Sequence, residues 1–329
     1  MGLILSIFFG FVPMLFFAWL LYWLDRYEKE PKILLGVVFV WGAAVSAGVA
    51  YVINTLIGMG IFIATRSEAV TEIATGSFVA PPVEESLKGL AVLLVFLIFR
   101  HEFDSTLDGI VYAGITALGF AATENSYYIY NYGYQEAGYE GLFLLVFVRV
   151  FLVGWQHPFY TAFIGIGLAA ARFNKNIALK LLFPTLGLAG AIITHSIHNT
   201  LATLLSGLGG LIIGTIVDWS GWLFMFGVII WAIYRERKWI KDHLREEIEL
   251  NTLSKPQYRT AISAWAQSAA RGKALLTGRF LATNRFYNLT AELAYKKHQR
   301  VKMGDEGGNT IQIKKLRREL AELSSGVVS

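Results

Sequence analysis

Seven blocks of apolar residues divide this chain, and each is long enough to form a helix that crosses ~30 Å of hydrocarbon. They run over 3–24, 33–61, 78–99, 107–129, 142–171, 177–205 and 208–234. Composition agrees with that pattern. Hydrophobic residues make up 55% of the 329 and charged residues 16%, against about 45–50% and about 25% in ordinary soluble domains. The mean hydropathy is +0.49. Disorder is excluded, and a soluble enzyme is disfavoured. The expected fold class is all-α: a polytopic helical membrane protein of about seven transmembrane helices with a helical C-terminal tail.

The first block is read as a retained helix and not as a cleaved leader. Its apolar run is too long, no basic segment precedes it, and Asp25-Arg26-Tyr27-Glu28 offers no small-residue cleavage site. The chain has no cysteine, so disulfides, thiolate nucleophiles and Cys-ligated metals are excluded.

Charge divides the chain in two. Residues 1–234 hold 10 Lys/Arg against 14 Asp/Glu, and residues 235–329 hold 19 against 10. This predicts a transmembrane domain over 1–234 and a basic helical tail over 235–329. Arg26, Lys29 and Lys32 lie in the first loop, Arg100 in the third, and Arg172 and Lys175 in the fifth, whereas the even loops carry only Arg66. The positive-inside rule then places the N-terminus outside and the tail in the cytoplasm, with a bacterial cell membrane as the expected location. Amphipathic stretches near 239–250, 258–276 and 311–323 either lie on anionic headgroups or form a solvated tail. The bilayer is an expected partner and nucleic acid is not.

Ionisable residues inside apolar spans are costly and mark functional sites by default. The third block opens Pro81-Pro82-Val83-Glu84-Glu85-Ser86-Leu87-Lys88. Pro82 suits a first helical turn. Glu84 and Lys88 are spaced to pair on one face, leaving Glu85 free to turn inward, or the reverse. Asp108 has two readings, helix capping or function. Glu124 has no cation within a turn of its own helix, so its partner comes from another helix or a metal. His157 precedes Pro158, and the sixth block carries His195, His198 and Asn199. Asp218 has no obvious companion. Counting ~1.5 Å per residue from the loops brings Glu84, Glu85, Glu124, His157, His195 and Asn199 to overlapping depths.

Glutamate and histidine without cysteine suit Zn²⁺ in a hydrolytic site, where three N/O ligands leave a position for an activated water. Glu124, His157 and His195 would form the ligand set. Glu84 or Glu85 would be the general base, with Glu85 preferred because Lys88 competes for Glu84, and Asn199 would donate to the oxyanion. A metal-free scheme uses the same residues, a glutamate activating water with help from a histidine. Either set requires the side chains to gather within about 10 Å, given ligand bonds of ~2 Å.

At these residues the chain resembles the PrsW family of intramembrane proteases, within the wider CAAX-protease and bacteriocin-processing superfamily. The resemblance rests on Glu84-Glu85-x-x-Lys88, Phe120-x-x-x-Glu124, His157 with Thr161, and His195-x-x-x-Asn199. Asp25-Arg26-Tyr27-Glu28-Lys29-Glu30-Pro31 and Asp108-Gly109-Ile110-Val111-Tyr112 add to it. Glu124, where prenyl-protein peptidases usually have histidine, favours the PrsW branch. The resemblance implies endoproteolysis of a membrane-anchored protein substrate, with anti-sigma factors the substrate type of one family member. It covers about residues 20–205 and implies nothing for the tail. The alternative is a proton- or ion-coupled transporter, which expects inverted repeats; the chain shows no convincing repeat.

The expected cleavage position lies in the outer half of the membrane. There a cavity open to the outer face or leaflet would admit a frayed substrate helix.

Overall fold

The computed structural model describes residues 1–25, 27, 29–205 and 207–328, and leaves out the side chain of Glu306. Arg26 and Glu28 of the first-loop motif fall outside the described residues. The fold is helical throughout: α1 (Gly2–Leu24), α2 (Lys32–Val40), α3 (Ala47–Thr65), α4 (Glu68–Ala74), α5 (Ala80–Ile98), α6 (Thr106–Tyr128) and α7 (Gln135–Val146). Then follow α8 (Gln156–Arg172), α9 (Ile177–Leu204), α10 (Gly207–Glu249), α11 (Lys255–Ala261), α12 (Ala264–Leu276), α13 (Phe280–Met303) and α14 (Asn309–Leu323). Short π-helical segments, with i→i+5 hydrogen bonding, join α2 to α3, α4 to α5 and α6 to α7, and extend α7 at its C-terminal end.

Among the described residues, five helical stretches are long and apolar enough to cross a membrane: Gly2–Leu24, Lys32–Thr65, Thr106–Arg172, Ile177–Leu204 and Gly207–Glu249. The protein is a polytopic helical membrane protein. The stretch Thr106–Arg172 holds the fourth and fifth apolar blocks. Its helix is broken at Ala137 and Gly138, where Gly138 takes φ +63°, a conformation open to glycine at little cost. The third block, which α5 and the turn before it contain, is less apolar than these five, because Glu84, Glu85 and Lys88 interrupt it.

The chain packs as two compact units: residues 1–24 with 30–229, and residues 25–29 with 230–329. In the first unit α6 is central, with every residue from Leu107 to Ala122 buried. Lipid gives helices no hydrophobic reason to associate, so close packing of small residues must hold them. A side chain at Gly165 of α8 would overlap the backbone of Gly109 in α6, and one at Gly119 would overlap the backbone of Phe39 in α2. Gly167 and Gly187 bring α8 and α9 equally close. Asp108 resolves to its capping reading. The Ser105 side chain accepts from the N–H groups of Leu107 and Asp108, while the Asp108 carboxylate accepts from the N–H of Ser105 at 2.6 Å.

The second unit has its own core, built from Tyr27, Ile240, Leu244, Leu253, Phe286, Tyr287, Leu293, Leu316 and Leu320. The amphipathic faces of the tail are therefore spent largely on one another. Helix α13, the longest of those following α10, fell between the amphipathic stretches visible in sequence. Its inward face mixes Thr283, Thr290, Lys296 and Gln299 with apolar residues, which blurs its periodicity. Glu247 is fully buried and accepts from Lys297 at 2.7 Å and from Arg317 at 2.7 Å. His298 stacks on Trp239 with ring centroids 4.0 Å apart and lies 3.1 Å from a ring nitrogen of His243. Burial and the neighbouring His243, Lys302 and Arg235 hold its imidazole down to about 4.

Two expectations follow. Gly165→Val should destabilise the protein by about 1–3 kcal/mol or more through overpacking, read as thermal unfolding in detergent. Gly36→Ala, where a side chain meets nothing within 4 Å, should be neutral or stabilising by up to ~1 kcal/mol. An unchanged melting temperature for Gly165→Val would refute the glycine contact.

For His298, the unfolded chain takes up its proton near pH 6.5, whereas the folded chain resists until about 4. Stability should then be fully present above pH 6.5 and fall as the pH drops from about 6.5 towards 4. Comparing His298→Phe with the wild type at pH 7.5 and 5 checks this: the acid sensitivity should shrink in the variant.

Candidate metal centre

The centre grows from the start of α5. Helix α5 begins Ala80-Pro81-Pro82, with prolines in the first turn, where a missing N–H costs nothing. Glu84, Glu85 and Lys88 follow, all buried. A carboxylate so placed needs donors, since its burial is otherwise very costly. Glu85 has three. Its Oε1 accepts from Lys88 Nζ at 2.5 Å and from His195 Nδ1 at 2.9 Å, and its Oε2 accepts from Thr161 Oγ at 2.8 Å. Residues of α5, α8 and α9 thus meet on one carboxylate.

Glu84 is bonded quite differently. Asn54 of α3 donates to its Oε1 at 3.3 Å. Its Oε2 is buried without a hydrogen-bond partner and lies 3.8 Å from His195 Nε2. Because His195 gives its Nδ1 proton to Glu85, its Nε2 presents a lone pair towards that free oxygen.

His157 is held from both sides. An ammonium can only donate, so Lys88 Nζ at 3.2 Å makes Nδ1 the acceptor. Nε2 then carries the proton and donates to Glu124 Oε2 at 2.9 Å. Arg149 holds the same Glu124 oxygen at 2.5 Å, donates to Asn125 at 2.9 Å and stacks on Tyr128 at 4.0 Å. The His157 and His195 rings are 5.2 Å apart, and Tyr160 stacks on His195 at 4.7 Å.

One ligand atom from each of Glu84, His157 and His195 lies within 4.8 Å of the others. These residues fit a metal ion. The donors are a carboxylate and two imidazoles, Glu84 contributes an oxygen that no hydrogen bond satisfies, and each histidine has its second nitrogen fixed by a carboxylate. That arrangement orients imidazole ligands in metal sites generally. His157 would offer the Nδ1 that Lys88 holds, so an ion there takes the place of that bond.

Several placements differ from the sequence reading. Lys88 pairs with Glu85 and not with Glu84, so the reason for preferring Glu85 as the free carboxylate does not hold. Helix geometry allows both spacings, and the donors on α8 and α9 decide between them. Glu124 is engaged by Arg149 and His157, and Glu84 supplies the third converging atom. Asn199 gives an N–H to the carbonyl of Gly76 at 2.8 Å, in the turn leading to α5. Asp218 finds a partner in His198 at 2.9 Å.

Arg149, inside the fifth apolar block, is a site residue to which the sequence alone assigns no role. The available signal was electrostatic: a lone cation in one apolar span and a lone carboxylate, Glu124, in another.

The side chains of Glu124 and Arg149 are about one fifth exposed, while those of Glu85 and Lys88 are fully buried. The Glu124–Arg149 edge is thus the more exposed side of the cluster. A groove of about 470 Å³ lies elsewhere, lined by apolar residues including Leu20, Trp23, Trp155, Pro158, Trp222 and Phe226, and none of the six site residues borders it.

Comparison with known proteins points the same way. The family described as PrsW family intramembrane metalloprotease matches residues 30–233. Protease PrsW of Clostridioides difficile (strain 630) is 40% identical over 108 residues, 32% of this chain and 43% of that protein. Protease PrsW of Bacillus subtilis (strain 168) is 28% identical over 215 residues, 63% of this chain and 82% of that protein. Protease PrsW of Geobacillus kaustophilus (strain HTA426) is 28% identical over 150 residues, 45% and 59% of the two chains. No solved structure matches.

Proposed function

Since the chain belongs to the PrsW family of intramembrane metalloproteases, we propose that it hydrolyses a peptide bond of a membrane-anchored protein, with Glu84 as the carboxylate at the reacting centre. The observation that carries this reading is the buried, unpartnered Oε2 of Glu84, 3.8 Å from His195 Nε2. Glu85 has both oxygens occupied and cannot take a proton from water without breaking the contacts that hold three helices.

Glu84, His157 and His195 would hold the metal, with Zn²⁺ the ion that this donor set favours. A bound Zn²⁺ supplies Lewis acidity and lowers the pKa of a water towards ~7.

The remaining roles belong to the chain itself. Glu85 fixes the His195 tautomer by taking its Nδ1 proton. Glu124 does the same for His157 at Nε2, and Arg149 holds Glu124 in place. Lys88 offsets the charge of Glu85. Asn199 is a positioning residue that ties α9 to the turn before α5. Arg149, at the accessible edge, is the nearest fixed cation to an incoming peptide and is suited to orient its carbonyl groups.

The same reading places the N-terminus outside and the tail in the cytoplasm of a bacterial cell membrane, on the strength of the loop charges. The accessible edge lies at the C-terminal part of α6, and cleavage falls in the outer half of the bilayer. The substrate is a membrane-anchored protein whose helix can fray near that face, anti-sigma factors being one such class.

Three variants and a chelator test the site. Glu84→Gln should lower the cleavage rate by ~10²–10⁴ and release bound metal, read by metal analysis of purified protein. His195→Ala should also lose metal, and chelator should abolish wild-type cleavage. Glu85→Gln should retain a metal signal while losing rate or stability. A Glu84→Gln protein that keeps both metal and activity sinks the assignment.

For topology, reporter fusions after Tyr130 and after Tyr234 should report opposite sides, and mass spectrometry of the product terminus should place the cut in the outer half. Reporters on one side would refute the seven-span map, and a cut in the cytoplasmic half would refute the cleavage position.

A further inference from the structure

Between Glu249 and Glu292 the chain has no acidic residue, yet it carries Lys255, Arg259, Arg271, Lys273, Arg279 and Arg285. This stretch forms α11, α12 and the start of α13 in the second unit. Its apolar residues divide into two sets. Ala261, Ala270, Ala274, Phe286, Tyr287 and Ala291 enter the core of the unit. Leu275, Leu276 and Leu281 face outward and are 66%, 88% and 82% exposed.

The three leucines flank one tight turn, Leu275 and Leu276 at the end of α12 and Leu281 at the start of α13. Gly278 takes φ +69° and closes α12: its N–H donates to the carbonyl of Leu275 at 3.4 Å, and the N–H of Arg279 donates to that of Ala274 at 2.8 Å. The Thr277 hydroxyl bonds back to the carbonyl of Lys273 at 3.2 Å. Backbone and side-chain bonds thus fix a projecting tip. Lys273 and Arg279 flank it, both exposed, and neither forms an ion pair among the described residues. Three leucines gathered on a fixed turn, with only cations around them, form the kind of exposed apolar patch that marks a binding surface.

We propose that the α12–α13 turn is a bilayer-insertion tip. Leu275, Leu276 and Leu281 enter the acyl boundary of a leaflet, while Lys273 and Arg279 take the phosphates of anionic phospholipids. Charge selects this occupant. A stretch with six cations and no carboxylate is complementary to an anionic lipid surface, whereas a second copy docking through the same turn would meet it with the same sign. Connectivity supports it too: the tail is tethered to a membrane protein, so the bilayer is present at high effective concentration. Weak contacts suffice under that condition, and the tip combines the apolar and basic signals that peripheral binding needs. This site is independent of the metal centre.

The cysteine-free sequence allows a direct test. The full chain carrying Leu276→Cys is labelled with a polarity-sensitive dye and reconstituted, one copy per nanodisc, in phosphatidylcholine with or without phosphatidylglycerol. A second label goes at Ile311→Cys, an exposed position on α14. The label at 276 should shift to the blue and resist iodide quenching in the anionic discs. The effect should weaken as salt rises and vanish on adding Lys273→Glu and Arg279→Glu, with the helical circular dichroism unchanged. The label at 311 should stay open to iodide throughout.

Equal quenching at 276 in detergent and in both discs overturns the proposal. So does equal protection without the anionic lipid, equal protection at 311, or protection that needs two copies in one disc.

Discussion

A buried carboxylate organises the membrane unit. Glu85 is fully excluded from solvent, and its two oxygens take donors from Lys88, Thr161 and His195. The cost of burying such a charge is met only while all three donors are in place. Any slide of α8 or α9 against α5 would leave one of them unpaired. The carboxylate therefore specifies how these helices meet more than it adds to their stability. The glycine contacts of α6 with α8, and of α8 with α9, make the approach close enough for the bonds to form.

The chemistry at the site follows from that arrangement. With Glu85 committed to His195 Nδ1, the opposite nitrogen faces Glu84. With Glu124 committed to Arg149 and His157, the latter's remaining nitrogen faces Lys88. Two of the three glutamates thus act as orienting groups, and one is left with an unsatisfied oxygen. Adjacent carboxylates on one helix divide into different roles because about 100° of rotation sends them to different neighbours. Outside this cluster, Asn199 on Gly76 and His198 on Asp218 secure α9 to the turn before α5 and to α10.

The second unit obeys the rules of a soluble helical domain. Its helices bury aromatic and aliphatic faces against each other, and Glu247, Lys297 and Arg317 form a compact ion cluster. What it leaves outside is as informative as what it buries. The exposed leucines belong to a stretch from which acidic residues are missing, so apolar surface and positive charge coincide at one turn.

Much was already legible in the residues. Apolar blocks of spanning length fixed the class as a polytopic helical membrane protein, because no other structure satisfies backbone hydrogen bonds in lipid across so many blocks. Glu84, Glu85, Glu124, His157 and His195 stood out because charge and imidazole are rare at such depth, and the motifs around them carried the family. Depth, however, is a one-dimensional measure. It showed which residues share a level in the membrane and not which way each one turns. Lys88 can reach either glutamate from its own helix, and only Thr161 and His195, which lie 76 and 110 residues from Glu85 in sequence, decide for Glu85. Arg149 and Asp218 were visible as isolated charges, but their partners lie on other helices. The core of the tail was hidden for a related reason. Its longest helix is amphipathic only with respect to neighbours that the sequence does not place. Periodicity and composition are local and set what each segment becomes; which carboxylate stays free depends on donors brought together by packing, and only the tertiary structure decided that.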